Sequence, residues 1–291
     1  MLAWSAIVVI LLGVVGLVAY ALTHVATPAT VTQTALTSPA VLNTLSTVPA
    51  ATFDAIGVSV PGVELTPPQV LTAQPPLTSG GKPEVLAIGT EFCPFCAAER
   101  WPLVVALARF GRFTVLHDAT SATQSVFPDT PTFSFAGVGY TSPYLTFGGI
   151  ELYSDQIGAD GTFIRIATLT PSQAALVARY AGADGATGNG TAPFVDIGGR
   201  LVTTTSAFSP ALLAGQSQAQ IAGEVAKPVA PVPASGTAPA PPTGQAIVAA
   251  ANQLSAGICT ATGQRPASVC RSKGVRAGDQ SLGLQQPPAA S

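Results

Sequence analysis

Charged side chains are scarce in this chain. Only 9% of its 291 residues are Asp, Glu, Lys or Arg, and the formal net charge is −2. A chain without a basic surplus lacks the electrostatic footprint of a nucleic-acid-binding protein, and a chain without acidic runs offers no acidic tail to a basic partner. We therefore expect no nucleic-acid partner.

Metal-binding side chains are also few. The chain has two histidines, neither of which is close in sequence to a cysteine pair, and its one methionine is the initiator. Cys93 and Cys96 are three positions apart, but Cys259 and Cys270 are separated by ten residues, which is too far for the second half of a four-cysteine zinc site. A metal chaperone would need a third soft ligand beside the first pair. We expect no metal and no cofactor.

The first 81 residues contain no Lys or Arg. The positive-inside rule, which predicts the orientation of a membrane segment from flanking Lys and Arg, therefore gives almost no information here. Residues 2–22 carry no charge, and about 20 apolar residues are enough to cross a bilayer core. We predict that residues 1–23 form a transmembrane anchor that contacts lipid through 2–22. The alternative is a cleaved signal peptide, but the apolar run is longer than a usual signal core and no basic residues precede it.

Composition divides the rest of the chain. A stretch rich in Thr, Ala, Val, Ser and Pro predicts an extended tether over residues 24–50. A folded domain is predicted over 51–271, interrupted by a Pro/Ala-rich insertion at 227–244 that cannot build a core. The polar, Pro- and Gly-containing end predicts a disordered tail over 272–291.

The most informative motif is Cys93-Pro94-Phe95-Cys96. It follows the apolar run 85–88 and precedes a helix-like segment, which is the layout of a thiol–disulfide active site. Residues i and i+3 of a first helical turn face the same way, so two sulfurs there can bond or separate with little backbone motion. The positive end of the helix favours the thiolate. A purely structural disulfide is the alternative, although so small a ring removes little chain entropy.

Two acids flank this motif. Glu91 and Glu99 could relay protons, or could raise the thiol pKa by like-charge repulsion. The alternative is that both are solvated and have no role.

Cys259 and Cys270 form the second pair. Their loop is short enough to close, and a bond would stabilise the fold by about 3 kcal/mol. We predict a structural disulfide, with a second redox relay as the alternative. Oxidised pairs would place the bulk of the chain in an oxidising compartment outside the cytoplasm.

The predicted order of elements is a strand, the C-x-x-C helix, a strand, an insert, a T-x-P strand, a strand and a helix, and it resembles the thioredoxin fold. The local sequence is similar to DUF929, a family of membrane-anchored, thioredoxin-like prokaryotic proteins, over roughly residues 48–271. The resemblance implies an α/β thioredoxin-like fold with inserted strands and a helix, preceded by one transmembrane helix. The segments that carry it are 81–85, 89–101, 130–133, 193–198 and 258–270.

The resemblance also implies roles. Cys93 would be the attacking and more exposed thiol, and Cys96 would be buried and resolve the mixed disulfide. A cis proline opposite the motif would align the substrate's sulfur. Pro193 would be this proline, with Pro131 as the alternative, although either could be an ordinary trans proline at a strand start. The Pro-Phe pair resembles the Pro-Tyr of glutaredoxins, which implies a reduction potential above about −270 mV.

These features favour a single-pass cell-membrane thiol–disulfide oxidoreductase that acts on extracytoplasmic protein cysteines. A membrane redox partner would recycle its dithiol, and the reaction could be oxidation, isomerisation or reduction. The alternative is a non-catalytic thioredoxin-like binding or assembly module of a membrane complex, in which both disulfides are structural.

Overall fold

The computed structural model describes residues 34–72, 74–186, 193–227 and 243–284. The predicted anchor at 1–23 and most of the Pro/Ala-rich insertion lie outside these ranges. Within them, no helix combines the length and the hydropathy that a membrane crossing requires.

The structure is a mixed α/β fold. Its strands are β1 (Gln69–Val70), β2 (Thr78–Ser79), β3 (Lys82–Gly89), β4 (Arg112–Thr120), β5 (Pro131–Thr141), β6 (Thr146–Glu151), β7 (Tyr153–Ile157), β8 (Phe163–Arg165), β9 (Phe194–Ile197) and β10 (Leu201–Thr203). Its helices are α1 (Pro39–Ser46), α2 (Ala50–Ile56), α3 (Pro94–Ala108), α4 (Pro171–Ala186, interrupted at Gly182), α5 (Gln218–Ala226), α6 (Thr243–Ala261), α7 (Ala267–Cys270) and α8 (Lys273–Leu282), with a 3-10 turn at Pro210–Leu213.

The central sheet is built around β3. Its strand order is β1-β10-β9-β3-β6, in which β3 pairs parallel with β6 and antiparallel with β9, and β2 pairs with the start of β3. The apolar run in β3 is continuous because the strand is buried on both faces. Since successive side chains point to opposite faces, Val85 and Ala87 enter the larger core while Leu86 and Ile88 enter a smaller one.

Two hairpins accompany the sheet. The sequence leaves open whether residues 132–135 and 144–147 pair with each other or extend the sheet. In the structure, β5 pairs antiparallel with β4, whereas β6 joins the central sheet beside β3. The other hairpin, β7–β8, follows β6 directly and reaches the region of the cysteine motif.

Two boundary predictions are wrong. The predicted tether extends to residue 50, but α1 begins at Pro39 with Ser38 as its N-cap, and Val41 and Leu45 are buried in the core. The predicted tail begins at 272, but Ser272 caps α8, and Val275 of that helix is buried. In both segments the composition did not indicate a helix. Each helix nevertheless has a serine N-cap and buries its few apolar residues on one face. Residues 285–291 lie outside the described ranges.

Cys259 of α6 and Cys270 of α7 form a disulfide, as predicted, across a sequence separation of 11. Both sulfur-bearing residues are buried, and neither lines a cavity next to Cys93 or Cys96. We expect the double substitution Cys259→Ala/Cys270→Ala to lower the free energy of unfolding by about 3 kcal/mol, because the closed loop no longer restricts the unfolded chain. Urea unfolding measures this loss.

The same variant separates the structural role from the relay role. A structural bond predicts that Cys93 retains its rate of thiol exchange under conditions where the variant is folded. Loss of exchange in a folded variant would contradict a purely structural disulfide.

Candidate functional site: the Cys93–Cys96 motif

Cys93 occupies the junction between β3 and α3. It is the N-cap residue of α3, with extended backbone angles, and its Sγ accepts a hydrogen bond from the backbone N–H of Cys96 at 3.3 Å. Pro94 follows at the first helical position, where the missing N–H costs no hydrogen bond. The local sequence therefore directs the Cys93 sulfur towards the unpaired N–H groups of the helix.

The two thiols differ in acidity. A hydrogen bond from the Cys96 thiol is the main cause that lowers the pKa of Cys93, and the backbone N–H of Cys96 and the charge of Arg100 add to it. Complete burial is the main cause that raises the pKa of Cys96 well above its usual value, and its interaction with Cys93 raises it further. Cys93 is therefore the thiol that ionises first.

Both cysteines are buried, and each is about 1% exposed. The expectation that Cys93 is the more exposed thiol is therefore wrong. The sequence does not reveal which elements lie beside the motif: residues of the segment 122–126 and Phe163 of the β7–β8 hairpin line a cavity together with Cys93. These elements stand around the start of α3 and enclose a cavity beside Cys93.

This outer cavity has a volume of about 240 Å³ and is partly open to solvent. Cys93 lines it and Cys96 does not. None of the described residues in its lining is charged, and one of them, Val126, is 76% exposed. The lining consists of Phe92, Cys93, Pro94, Phe95, Ala122, Gln124, Ser125, Val126 and Phe163.

Cys96 faces a second, much smaller cavity of about 10 Å³ on the inner side of the motif. Glu99, Arg100, Glu151 and Pro193 also line it. Its volume is close to the minimum that one water molecule needs. The two thiols therefore face different surroundings: Cys93 lines an apolar cavity without charged neighbours, whereas Cys96 lines a far smaller one that has Glu99, Arg100 and Glu151 in its wall.

The close approach of Cys96 and Arg100 depends on a glycine. A Cβ atom at Gly89, the last residue of β3, would lie 3.3 Å from Cys96 Sγ and 3.4 Å from Arg100 Nη2. These contacts are tight, so a larger residue would push both groups away from the strand. Gly89 thus allows the guanidinium to lie beside the sulfur.

Arg100 forms a buried ion pair with Glu151 at the end of β6. Its Nε and Nη2 donate to the two carboxylate oxygens at 3.0 and 2.6 Å, and Nη2 also donates to the Thr90 carbonyl at 2.8 Å. Glu151 accepts a further hydrogen bond from the Phe135 backbone N–H at 3.1 Å. Arg100 Nη1 has no hydrogen-bond partner among the described residues. A fixed positive charge therefore lies beneath the motif.

The two flanking acids are both buried, so the interpretation that they are solvated is wrong. Glu99 is 1% exposed, and burial raises its pKa to about 8 even though the Ala207 backbone N–H and the Thr203 hydroxyl donate to its carboxylate. Burial also raises the pKa of Glu91, whose carboxylate accepts a hydrogen bond from Ser134. Of the two acids, only Glu99 lines the inner cavity with Cys96.

The two candidate prolines have different neighbours. Pro193 lines the inner cavity with Cys96 and immediately precedes β9. Pro131 starts β5 and follows Thr130 through a trans peptide bond, so the alternative that it is a cis proline is wrong. Its carbonyl accepts a hydrogen bond from the Trp101 indole N–H at 2.9 Å. Only the first of these prolines shares a cavity with a cysteine of the motif, whereas the second holds the middle of α3 against β5. Trp101 is fully buried and packs on Phe133, as expected for a core residue.

A family model described as "Domain of unknown function (DUF929)" matches residues 69–260. The chain belongs to the DUF929 family. The match extends from the start of β1 into the last turn of α6 and includes every residue that lines the two cavities. No curated protein and no solved structure matches the chain at a significant level.

Within the DUF929 region, Glu151 is the site residue that the sequence analysis missed. A signal was available, because Glu151 is the only charged residue between Asp129 and Asp155 and lies in the apolar stretch 147–152. A carboxylate in a buried strand requires a partner. The identity of that partner follows only from the parallel register, which places Glu151 opposite Gly89 and therefore next to the cysteine motif.

Proposed function

We propose that this DUF929 protein is a membrane-anchored thiol–disulfide oxidoreductase that acts on protein cysteines outside the cytoplasm through Cys93 and Cys96. The observation that carries the proposal is the position of Cys93. Its sulfur caps α3, its pKa is lowered, and it lines a cavity that reaches solvent. A reactive cysteine needs thiolate character and a route to solvent. Only about 1% of Cys93 is exposed, so the cavity that it lines is the route that this proposal requires.

The topology supports a thioredoxin-like fold. A parallel β3–β6 pair, continued by antiparallel β9 and β10, is the four-strand core expected of that fold when the C-x-x-C motif follows its first strand. In this alignment β4 and β5 are the inserted strands. We assign the substrate-positioning role to Pro193, because it directly precedes β9 and lines the inner cavity with Cys96.

The exchange proceeds in two balanced steps. The Cys93 thiolate attacks one sulfur of a substrate disulfide, a new S–S bond forms, and the other substrate sulfur leaves as a thiolate that takes up a proton. Cys96 then loses its proton and attacks the Cys93 sulfur, which releases the second substrate thiolate. Two electrons pass from the Cys93–Cys96 dithiol to the substrate, and the same steps in reverse oxidise a substrate dithiol.

Glu99 is the proton relay that this scheme favours. The second step requires Cys96 to lose its proton although burial raises its pKa, so a base must lie within reach. Glu99 shares the inner cavity with Cys96, and its pKa of about 8 lets it exchange protons near neutral pH. Arg100 assists by stabilising the thiolate that forms.

The cellular setting in this proposal derives from the sequence. Residues 2–22 would anchor the chain as a single-pass protein, and the disulfide between Cys259 and Cys270 supports an oxidising compartment for the folded part. Continued turnover requires a membrane redox partner with its own dithiol or disulfide, which returns Cys93 and Cys96 to their starting state.

The experiment that tests the proposal is trapping with a Cys96→Ala variant expressed in cells of its source. The first step then forms a mixed disulfide that cannot be resolved, so we expect covalent complexes with substrate proteins that dissociate on adding dithiothreitol. Non-reducing gels followed by identification of the partners detect them.

The matched control is the double variant Cys93→Ala/Cys96→Ala, which should form no such complexes. If Cys96→Ala also forms none and purified Cys93 resists alkylation at neutral pH, the oxidoreductase proposal fails. The binding-module alternative then accounts for the chain.

A further inference from the structure

The outer cavity beside Cys93 suggests what kind of substrate this site accepts. We propose that it is a subsite for one aromatic side chain of the substrate polypeptide, next to the cysteine that Cys93 attacks. The inference rests on the proposed function, because it assigns a substrate class to the same thiol.

The size of the cavity favours a single ring. A cavity of about 150 Å³ with apolar walls is large enough for benzene, and pockets for drug-sized ligands begin at about 300 Å³. At about 240 Å³, the outer cavity lies between these limits. It therefore suits one aromatic side chain better than a cofactor or an extended peptide segment.

The walls favour an aromatic ring for a second reason. Phe92 and Phe163 stack with their ring centroids 4.1 Å apart, and Phe95 meets Phe127 edge to face at 5.9 Å. Three of these rings line the cavity, so an inserted ring would find both faces and edges to pack against. Apart from the Cys93 thiolate itself, none of the described residues in the lining could pair with a charged substrate group.

The position of the cavity links it to the reaction. Cys93 is part of the wall, so a ring held there belongs to a residue close in sequence to the attacked cysteine, since neighbouring Cα atoms are only about 3.8 Å apart. The exposed Val126 at the rim offers apolar contact to the flanking substrate chain. Burying the ring would thus help to hold the substrate sulfur near the thiolate.

The test uses the full-length Cys96→Ala protein and synthetic peptides whose single cysteine carries a 2-thiopyridyl group. Attack by Cys93 forms the protein–peptide S–S bond, breaks the bond to thiopyridine, and releases pyridine-2-thione, whose absorbance gives the rate. The peptides differ only at the residue beside the cysteine, which is Phe, Ala or Glu. We expect the Phe peptide to react at least about 10-fold faster than the Ala peptide, from the free energy of burying a Phe side chain.

Two variants remove the subsite without touching the thiols. Ala122→Leu fills the cavity, and Val126→Gln makes its exposed rim polar without endangering the fold. Each should reduce the ratio of the Phe-peptide rate to the Ala-peptide rate to less than about 3-fold. This ratio is the readout, because both residues line the cavity that Cys93 also lines. Leu36→Gln is the matched control, because Leu36 is 65% exposed and does not line the cavity.

The outcomes are distinguishable. If all peptides react with Cys93 at similar rates, or the Glu peptide reacts fastest, the aromatic subsite is refuted and the oxidoreductase proposal stands. If the Phe preference persists in both cavity variants, the preference arises elsewhere and the subsite is also refuted. If no peptide reacts with Cys93, the proposed function fails together with the inference.

Discussion

Replacing Glu151 by Ala is expected to lower the free energy of unfolding by about 3–5 kcal/mol, the usual cost of removing one partner of a buried ion pair. The side chains of Arg100 and Glu151 are 4% and 1% exposed, and the carboxylate accepts both guanidinium hydrogen bonds. Without it, a charged guanidinium stays in the core with only the Thr90 carbonyl as a partner. Urea unfolding at neutral pH measures the loss.

Glu84→Ala is the matched control. Glu84 lies on β3 beside β6, is only partly buried, and forms no ion pair within the described part of the chain. Its removal should change the free energy of unfolding by less than about 1 kcal/mol. A Glu151→Ala loss as small as that of the control would mean that the guanidinium finds solvent, and would contradict the buried pair.

The double substitution Arg100→Met/Glu151→Leu distinguishes the effect of the ion pair on the free energy of unfolding from its effect on the pKa of Cys93. Apolar replacement of a whole buried ion pair is often neutral, so the double variant should be more stable than Glu151→Ala. Its Cys93 should nevertheless be less acidic, because the charge of Arg100 contributes to the lowered pKa after the hydrogen bonds from Cys96. Alkylation of Cys93 as a function of pH reads this shift directly.

Replacing Glu99 by Gln is expected to remove a large pH dependence of stability. Burial raises the pKa of Glu99 in the folded protein to about 8 from an ordinary value of 4.5. Between these values the unfolded chain ionises at this position while the folded protein holds the proton. Stability therefore falls as pH rises through this window, by about 1.4 kcal/mol per pH unit and about 4–5 kcal/mol in total.

The measurement compares the free energies of unfolding of the parent and of Glu99→Gln from pH 4.5 to 9. Their difference should change steeply across the window and level off above pH 8. Asp160→Asn is the control, because hydrogen bonds from Thr162 lower the pKa of Asp160, so this exposed acid should not add a pH dependence of the kind expected for Glu99. Parallel curves for the parent and Glu99→Gln would show that Glu99 ionises normally in the folded protein.

The same variant tests the proton relay. If Glu99 accepts the proton of Cys96, Glu99→Gln should prolong the mixed disulfide at least about 100-fold, because general base catalysis is lost from the second step only. The first step, attack by Cys93, should keep its rate. Stopped-flow measurement of both steps with one peptide disulfide distinguishes a relay from a purely structural acid.

What the sequence determines is local. A strand that ends at Gly89, a cysteine at a helix start and a proline at the next position predict the geometry of the Cys93–Pro94–Phe95–Cys96 turn, because caps and first turns depend on neighbouring residues. The Cys259–Cys270 disulfide follows for a similar reason, since a separation of 11 residues brings the two cysteines within reach of each other.

The tertiary structure alone decides what surrounds that turn. Glu151 reaches Arg100 only because β6 pairs parallel with β3 after the β4–β5 hairpin, and such long-range pairing leaves no local mark on the sequence. The cavity beside Cys93 likewise depends on Phe163 and the segment 122–126, which are distant from the motif along the chain. A thiol's exposure and a carboxylate's pKa depend on all atoms within several ångströms, so composition at Glu91 or Glu99 could not distinguish a solvated acid from a buried one.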